Sequence, residues 1–253
     1  MSTSPISSPI GSKLRSALLA TTILLGGVPA VQATDLFQDP FQNPSTDLLP
    51  FTAVAPTVPP GAGGNTGTAT IKGDPLGQGN ALTFGKTTYQ GDIVTKSSFT
   101  SSTGLYTLSF DFLGTCGYSQ DCGGFVAAAP SQNITNGWLI SDTPGYTDGD
   151  YGKIPSFPDT GKWESITYTF QSYKNLPVYL AFEIYAFSYN STKGGFASGP
   201  ETAWYKDVVL TDDPNGLAAG TLSIKSVPEP ATLSLIALGL AGVGFCRRRK
   251  QSS

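Results

Sequence analysis

Short runs in which apolar and polar residues alternate fill the middle of this 253-residue chain. In Leu105–Phe112 (LYTLSFDF) and Glu164–Phe170 (ESITYTF), apolar side chains recur at every second position. Because successive side chains of a strand point to opposite faces, this period of two predicts strands with one buried face. The side chains predicted to share that core are Tyr106, Leu108, Phe110, Phe112, Ile166, Tyr168 and Phe170.

Glycine, proline, aspartate and asparagine separate these runs, and the stretches between them are rich in β-branched and aromatic residues. The chain shows no internal repeat and no helical periodicity between its two ends. The sequence therefore predicts an all-β fold, an antiparallel β-sandwich, over residues 67–226. Further strands are predicted at Trp138–Ser141, Val178–Phe187, Ala203–Thr211, Ala81–Phe84 and Ile93–Phe99.

Residues 1–33 have the composition of a secretory signal peptide. Basic residues precede an uncharged apolar run that ends in the small-x-small pattern VQA. We expect a signal helix that is cleaved between Ala33 and Thr34; the alternative is a permanent anchor, for which the run is short. Residues 34–66 are rich in proline and glycine and are predicted to form a linker or a segment along a sheet edge.

The C-terminal residues 227–253 combine three features in order. The sequence Val227-Pro228-Glu229-Pro230 precedes an uncharged stretch, Ala231–Cys246, and four basic residues follow: Arg247, Arg248, Arg249 and Lys250. The stretch is close to the shortest that spans a bilayer as a helix, and the positive-inside rule keeps its basic end in the cytoplasm. One interpretation is a plain transmembrane anchor. The other is a processing signal, since the prolines keep the junction extended and open to a protease.

This arrangement resembles the PEP-CTERM sorting signal. The resemblance implies that Pro228, Glu229 and Pro230 form the recognition triad of an exosortase-type membrane protease. It also implies that the chain is anchored transiently in the inner membrane and is then delivered to the cell surface or the extracellular matrix. Bacteria that carry this signal make exopolysaccharide, which the resemblance implies as a further partner.

The body of the chain is acidic and lacks histidine. Residues 34–226 contain nine lysines, no arginine and 17 acidic residues, a net charge of −8. Such a surface repels nucleic acid and anionic lipid. The absence of histidine excludes Ser/His/Asp and Cys/His catalysis and histidine-ligated metal sites. We therefore predict a non-enzymatic protein; the alternative, a polysaccharide hydrolase, requires two carboxyl groups facing each other across a cleft.

Two cysteines, Cys116 and Cys122, lie on either side of a short glycine- and aspartate-containing loop. Export places them in an oxidising compartment, which favours a disulfide between them. The alternatives are a pair of free thiols or a metal-binding pair without further cysteine or histidine ligands.

The order of the predicted strands, ending in the W-Y-x-D-V-x-L pattern of residues 204–210, resembles the jelly-roll domains of galactose-binding and carbohydrate-binding modules. The resemblance implies a structural calcium ion on Asp207. The loop Asp142–Asp150 gathers further carboxylates, those of Asp142, Asp148 and Asp150, which suit calcium or simply a turn. Calcium is the only cofactor that the sequence suggests.

The predicted strand Val178–Phe187 has two different faces. Val178, Leu180, Phe182 and Ile184 are predicted to be buried, which leaves a polar and aromatic face formed by Tyr179, Glu183 and Tyr185. Rings that stack on sugars and a carboxylate that accepts from hydroxyls would make this face a carbohydrate site, if it is accessible. The alternative is a covered face, because aromatic residues favour strands in any case. The prediction is an exported surface or matrix protein, with a calcium-dependent carbohydrate-binding module as the alternative.

Overall fold

The computed structural model describes residues 33–54, 68–84, 90–115, 122–134, 137–141, 147–148, 152–157, 160–190, 195–198, 202–212 and 218–227. The chain divides into two units, residues 1–30 and 31–253, and all the described residues belong to the second. Both predicted helices, the signal helix and the transmembrane helix, lie outside the described residues. Within the described ranges, no helix is long and apolar enough to cross a membrane.

The described residues form strands and one short 3-10 helix, Tyr173–Asn175. In chain order the strands are β1 Thr34–Asp39, β2 Phe51–Val54, β3 Ala69–Gly73, β4 Asn80–Phe84, β5 Gln90–Thr95, β6 Leu105–Thr115, β7 Cys122–Ala129, β8 Trp138–Ser141, β9 Thr147–Asp148, β10 Gly152–Lys153, β11 Glu164–Gln171, β12 Tyr179–Asn190, β13 Gly195–Ser198, β14 Thr202–Asp212 and β15 Leu222–Ser226.

Two antiparallel sheets contain most of these strands. The first sheet has the order β15-β11-β6-β14-β4-β3, and β1 also pairs with β14. The second has the order β2-β5-β12-β7-β8, and β13 also pairs with β12. The chain passes from one sheet to the other between β6 and β7 and again between β11 and β12, as in jelly rolls. The predicted all-β antiparallel sandwich is confirmed.

The core between the sheets contains the side chains that the alternation predicted. The apolar residues of β6 and β11 that the alternation assigned to the core are buried together with Val178, Leu180, Phe182 and Ile184. Tyr106 and Phe170 stack with their ring centroids 5.3 Å apart, and Thr107 and Thr169 form a hydroxyl pair on the opposite face. One face of β6 is therefore apolar and buried, while the other carries hydroxyl groups, as a period of two requires.

The interior strand β7, with the sequence CGGFVAAA, is not among the predicted strands. Glycine and alanine have low strand propensity, so the local sequence gives little signal. The packing explains the composition: a Cβ atom added to Gly124 would lie 2.3 Å from the Phe112 ring and 2.6 Å from the Tyr205 hydroxyl. The aromatic side chains of the first sheet fill the space that larger residues on β7 would need.

Residues 34–54, the described part of the predicted linker or sheet-edge segment 34–66, contribute β1, β2 and the core side chains Phe41 and Phe51. Phe41 is completely buried and packs edge-on against Phe182, with ring centroids 5.8 Å apart. The backbone of Phe41 has a φ of 53°, in the left-handed region that bulky residues rarely adopt. The Phe41 N–H donates to Asp39 Oδ1 at 2.8 Å, which holds the turn.

Candidate functional site

The described chain ends where the predicted recognition triad begins. β15 pairs with β11, and the Ser226 hydroxyl donates to Glu164 Oε1 at 3.2 Å. The Val227 N–H then donates to the carbonyl oxygen of Trp163 at 2.9 Å. Pro228, Glu229, Pro230 and Arg247–Arg249 lie outside the described residues. The triad therefore follows directly on a residue that is hydrogen-bonded to the sandwich.

The predicted cleavage point at the other end also borders the sheet. Ala33 is exposed, and Thr34 begins β1, where it pairs with Asp212 of β14. Cleavage between Ala33 and Thr34 would leave all of β1 in the mature chain. The cleavage itself stays a prediction.

The predicted carbohydrate face of β12 is largely covered. Glu183 is 2% exposed, and Ile134 and Ile154, from the connections that follow β7 and β10, belong to the buried apolar cluster on this side of the second sheet. The expectation that a ligand reaches Glu183 is wrong, because this side chain is buried. Tyr179 is partly exposed and packs against the apolar cluster on this side of the second sheet. The side chain of Tyr185 is not among those that the structure describes. The buried apolar residues on this side are Val94, Phe125, Ala127, Ala129, Ile134, Trp138, Ile154 and Ala181.

A second buried carboxylate, Asp92, lies directly opposite Glu183 on the neighbouring strand β5. Both side chains are 5% exposed or less. Like charges at directly opposed positions repel each other, so this pairing was not expected from the sequence. A glycosidase binds its substrate between two accessible carboxyl groups, and the burial of this pair keeps bulk solvent away from both.

Asp207 is exposed at a β-bulge of β14 and has a φ of 52°. Its charge contributes to the raised pKa of Asp111, whose main cause is burial. Asp142 and Asp150 lie outside the described residues, as does the side chain of Asp148. Within the described part of the chain, no three Asp, Glu, Cys or His residues gather into a metal site. Calcium therefore stays a prediction.

The side chains of the predicted disulfide, those of Cys116 and Cys122, are not among those that the structure describes. Cys122 is the first residue of β7, but its side chain is outside the description. Cys116 follows the last residue of β6 and lies outside the described ranges. The two strands leave the cysteines at the two ends of one connection, and their pairing stays a prediction.

The outer face of the first sheet carries an aromatic cluster that the sequence did not predict. Trp163 and Trp204 are 1% and 7% exposed and pack with Ala81 and Leu113; Val227 packs against them. We refer to these five residues as the indole cluster. The two tryptophans are far apart in sequence, and Trp163 lies outside any alternating run, so only the pairing of the strands brings them together.

Cations border the indole cluster. The Lys206 ammonium lies 4.0 Å from the centroid of the Trp163 ring, and that of Lys72 lies 5.3 Å from the Trp204 ring. Lys206 is 5% exposed, which is unusual for a lysine. The indole N–H groups of both tryptophans are buried, and neither has a hydrogen-bond partner in the described structure.

Comparison with known protein families identifies a motif in the C-terminal segment. Residues 226–250 match the family model described as the PEP-CTERM protein-sorting motif. This chain carries a PEP-CTERM sorting motif. The motif marks an exported protein that is anchored at the membrane before an exosortase processes it. No curated protein matches the chain.

Several solved structures are similar to this chain at low identity. The CBM22-1 xylan-binding domain of Paenibacillus barcinonensis Xyn10C has a TM-score of 0.39 and 13% identity, covering 72% of this chain and 96% of that domain. TmCBM61 in complex with beta-1,4-galactotriose has a TM-score of 0.34 and 9% identity, with coverage of 69% and 98%. The metal-free Emp46p carbohydrate recognition domain has a TM-score of 0.38 and 9% identity, with coverage of 74% and 100%.

Proposed function

We propose that this chain is an exported, non-enzymatic β-sandwich protein, which an exosortase-type protease releases to the cell surface or extracellular matrix, where it associates with exopolysaccharide. The sorting motif at residues 226–250 carries the proposal. The strands support it, because β1 begins at Thr34 and β15 ends at Ser226. Removal of both terminal segments would leave the sandwich intact as the mature protein.

The positions of the described carboxylates support the proposal that this protein is not an enzyme. Glu183 and Asp92 are buried side by side rather than across a cleft, and Glu164 accepts hydrogen bonds from Thr160 and Ser226. A general acid or a nucleophile must reach its substrate, so these described carboxyl groups suit structural roles better than hydrolysis.

The sorting part is tested in a bacterium that has an exosortase. We expect the wild-type protein to lose its last two dozen or so residues, whereas Glu229→Gln retains a full-length, membrane-bound form. Gln251→Ala, just beyond the matched motif, is the control and should be processed normally. Intact mass spectrometry of the surface protein gives the answer. A native terminus that still includes Arg247–Ser253 would leave only a plain anchor.

The exopolysaccharide part is tested by co-sedimentation of the released protein with the polysaccharide of its host. Tyr179 is the one predicted contact residue whose side chain is described as partly exposed, so Tyr179→Ala should weaken binding. Tyr173→Ala, on the 3-10 helix, is the matched control. Repeating the assay with a chelator tests the alternative, a calcium-dependent carbohydrate-binding module: loss of binding on chelation would favour it. No co-sedimentation in either condition would contradict both.

A further inference from the structure

The turn between β3 and β4 holds both the backbone and the side chain of Asp74. Its sequence is Asp74-Pro75-Leu76-Gly77, and a type I turn favours aspartate at its first position, proline at its second and glycine at its fourth. The Gly77 N–H closes the turn by donating to the carbonyl oxygen of Asp74 at 3.2 Å. The Leu76 N–H donates to Asp74 Oδ1 at 2.8 Å, as in an Asx turn.

The second oxygen of the Asp74 carboxyl group, Oδ2, is buried, and no described residue donates a hydrogen bond to it. The Asp74 side chain is 7% exposed, although Pro75 and Leu76 beside it are exposed. Buried polar atoms in native proteins usually have a partner, so each exception calls for an explanation. An oxygen without a donor keeps its lone pairs available for attack on a nearby carbon atom.

The carbon atom within reach is the carbonyl carbon of the Asp74–Pro75 peptide bond. Attack by Oδ2 on the carbonyl of its own residue closes a five-membered ring, and a fixed geometry strongly accelerates such intramolecular reactions. The Gly77 N–H polarises this carbonyl, because it already donates to its oxygen. The bond to proline is a tertiary amide. The nitrogen of such an amide accepts a proton more readily than other peptide nitrogens do.

We propose that the protein cleaves its own chain between Asp74 and Pro75. Asp74 Oδ2 bonds to the Asp74 carbonyl carbon, the bond from that carbon to the Pro75 nitrogen breaks, and the proton of the neutral carboxyl group moves to this nitrogen. The products are a cyclic anhydride on Asp74 and a new amino terminus at Pro75. One water molecule, which the exposed turn admits, then opens the anhydride to two carboxyl groups. The net reaction is the hydrolysis of one peptide bond.

The cleaved protein stays folded as two associated chains. The segment before the cleaved bond contributes β1, β2 and β3, which pair with β14, β5 and β4 of the segment after it. It also buries Phe41 and Phe51 in the core between the sheets. Self-cleavage needs neither the sorting motif nor exopolysaccharide, so this inference and the proposed function can fail independently.

Incubation of the purified full-length protein in detergent, with protease inhibitors, tests the cleavage. The buffers run from neutral to mildly acidic, and circular dichroism verifies that the fold is retained in each. We expect mass spectrometry to find a fragment that begins at Pro75 and forms at a rate independent of the protein concentration. Absence of this fragment from every buffer would overturn the proposal.

Two further Asp–Pro bonds, Asp39–Pro40 and Asp213–Pro214, are internal controls. The Asp39 side chain also accepts from an N–H two residues on, but its Oδ2 is not among the buried oxygens that lack a partner. Because correct positioning is worth about 10²-fold in rate, the folded protein should cleave after Asp74 about that much faster than at the controls. Unfolding in urea should bring the three rates together. Equal rates in the folded protein would show ordinary lability of Asp–Pro bonds and contradict the proposal.

Two variants test the roles of the reacting groups. Asp74→Ser keeps an acceptor for the Leu76 N–H but cannot form an anhydride, so it should abolish the cleavage. Pro75→Ala keeps the carboxyl group and replaces the tertiary amide, so it should slow the cleavage. A Pro75 fragment that forms from Asp74→Ser at the wild-type rate would contradict attack by the carboxyl group.

Cleavage of the wild-type protein in oxygen-18 water tests the anhydride itself. Water can open an anhydride at either carbonyl carbon, so the label should appear in both the side-chain and the new terminal carboxyl groups of Asp74. Direct hydrolysis of the peptide bond would label the terminal group alone. Tandem mass spectrometry of the fragment that ends at Asp74 locates the label, and a label confined to the terminal group would show that the anhydride step is wrong.

Discussion

The hydroxyl of Tyr205 in β14 donates a 2.6 Å hydrogen bond to the backbone carbonyl of Glu183 in β12, across the core. The same hydroxyl lies 3.3 Å from the Phe125 carbonyl oxygen in β7. One side chain of the first sheet thus contacts two strands of the second. These hydrogen bonds link the first sheet to the second through the core.

Tyr205→Phe should lower the free energy of unfolding by about 1–2 kcal/mol, because it removes the donor of a buried hydrogen bond and keeps the ring. Urea denaturation followed by circular dichroism measures the change. Tyr173→Phe, on the partly exposed 3-10 helix, is the control and should change the free energy by less than about 0.5 kcal/mol. Equal values for the two variants would show that the hydroxyl does not join the sheets.

Gly124→Ala should destabilise the protein by about 1–3 kcal/mol through overpacking against Phe112 and Tyr205. The matched control is Gly73→Ala in β3, where an added Cβ meets no atom within 4 Å. Thermal unfolding of the two variants compares the effects. A Gly124→Ala protein as stable as Gly73→Ala would contradict the close approach of the sheets at β7.

Phe41→Ala should cost about 3–5 kcal/mol, because it removes a fully buried ring that packs on Phe51 and Phe182. Leu49→Ala changes a side chain that is 65% exposed in the same segment and should have little effect. Chemical denaturation measures both variants. A small effect of Phe41→Ala would place residues 34–54 outside the cooperative core.

The pH dependence of stability should reflect Asp39. Burial raises the pKa of this carboxyl to about 6 from its ordinary value of 3.8; the Phe41 N–H bond opposes the shift, and the charge of Asp47 adds to it. The folded state therefore binds the proton more tightly than the unfolded state. The stability that results is fully present below about pH 4 and is lost as the pH rises to about 6.

Asp39→Asn tests this dependence, because asparagine keeps an acceptor for the Phe41 N–H and does not titrate. We expect a flatter profile of unfolding free energy between about pH 4 and pH 6 than in the wild type. Asp35→Asn, exposed on the same strand, is the control and should keep the wild-type slope. Parallel profiles for Asp39→Asn and the wild type would refute the assignment.

The Cys116–Cys122 disulfide remains a prediction with a direct test. Non-reducing peptide mass spectrometry of the exported protein should find the two cysteines bridged. Because the closed loop is short, reduction should lower stability by about 2 kcal/mol on the chain-entropy model. A Cα separation above about 7 Å in an experimental structure would exclude the bridge.

The sequence by itself determined the strands with strict alternation and the signals at the two ends. β6 and β11 follow from their period of two, because a sheet with one buried face sorts side chains locally. The sorting motif is also local, since a protease reads an extended segment residue by residue. Neither inference needs to know which strands become neighbours.

Tertiary structure decided what depends on residues distant along the chain. Gly124 lies in the interior strand β7 because the rings of the first sheet occupy the space of a larger side chain, although glycine has low strand propensity. Glu183 is buried on the side of the second sheet where Ile134 and Ile154, from two connections, join the apolar cluster. The indole cluster exists because strand pairing places Trp204 beside Leu113 and brings β15, and with it Val227, next to β11. These contacts depend on the register between the strands, which no local pattern contains.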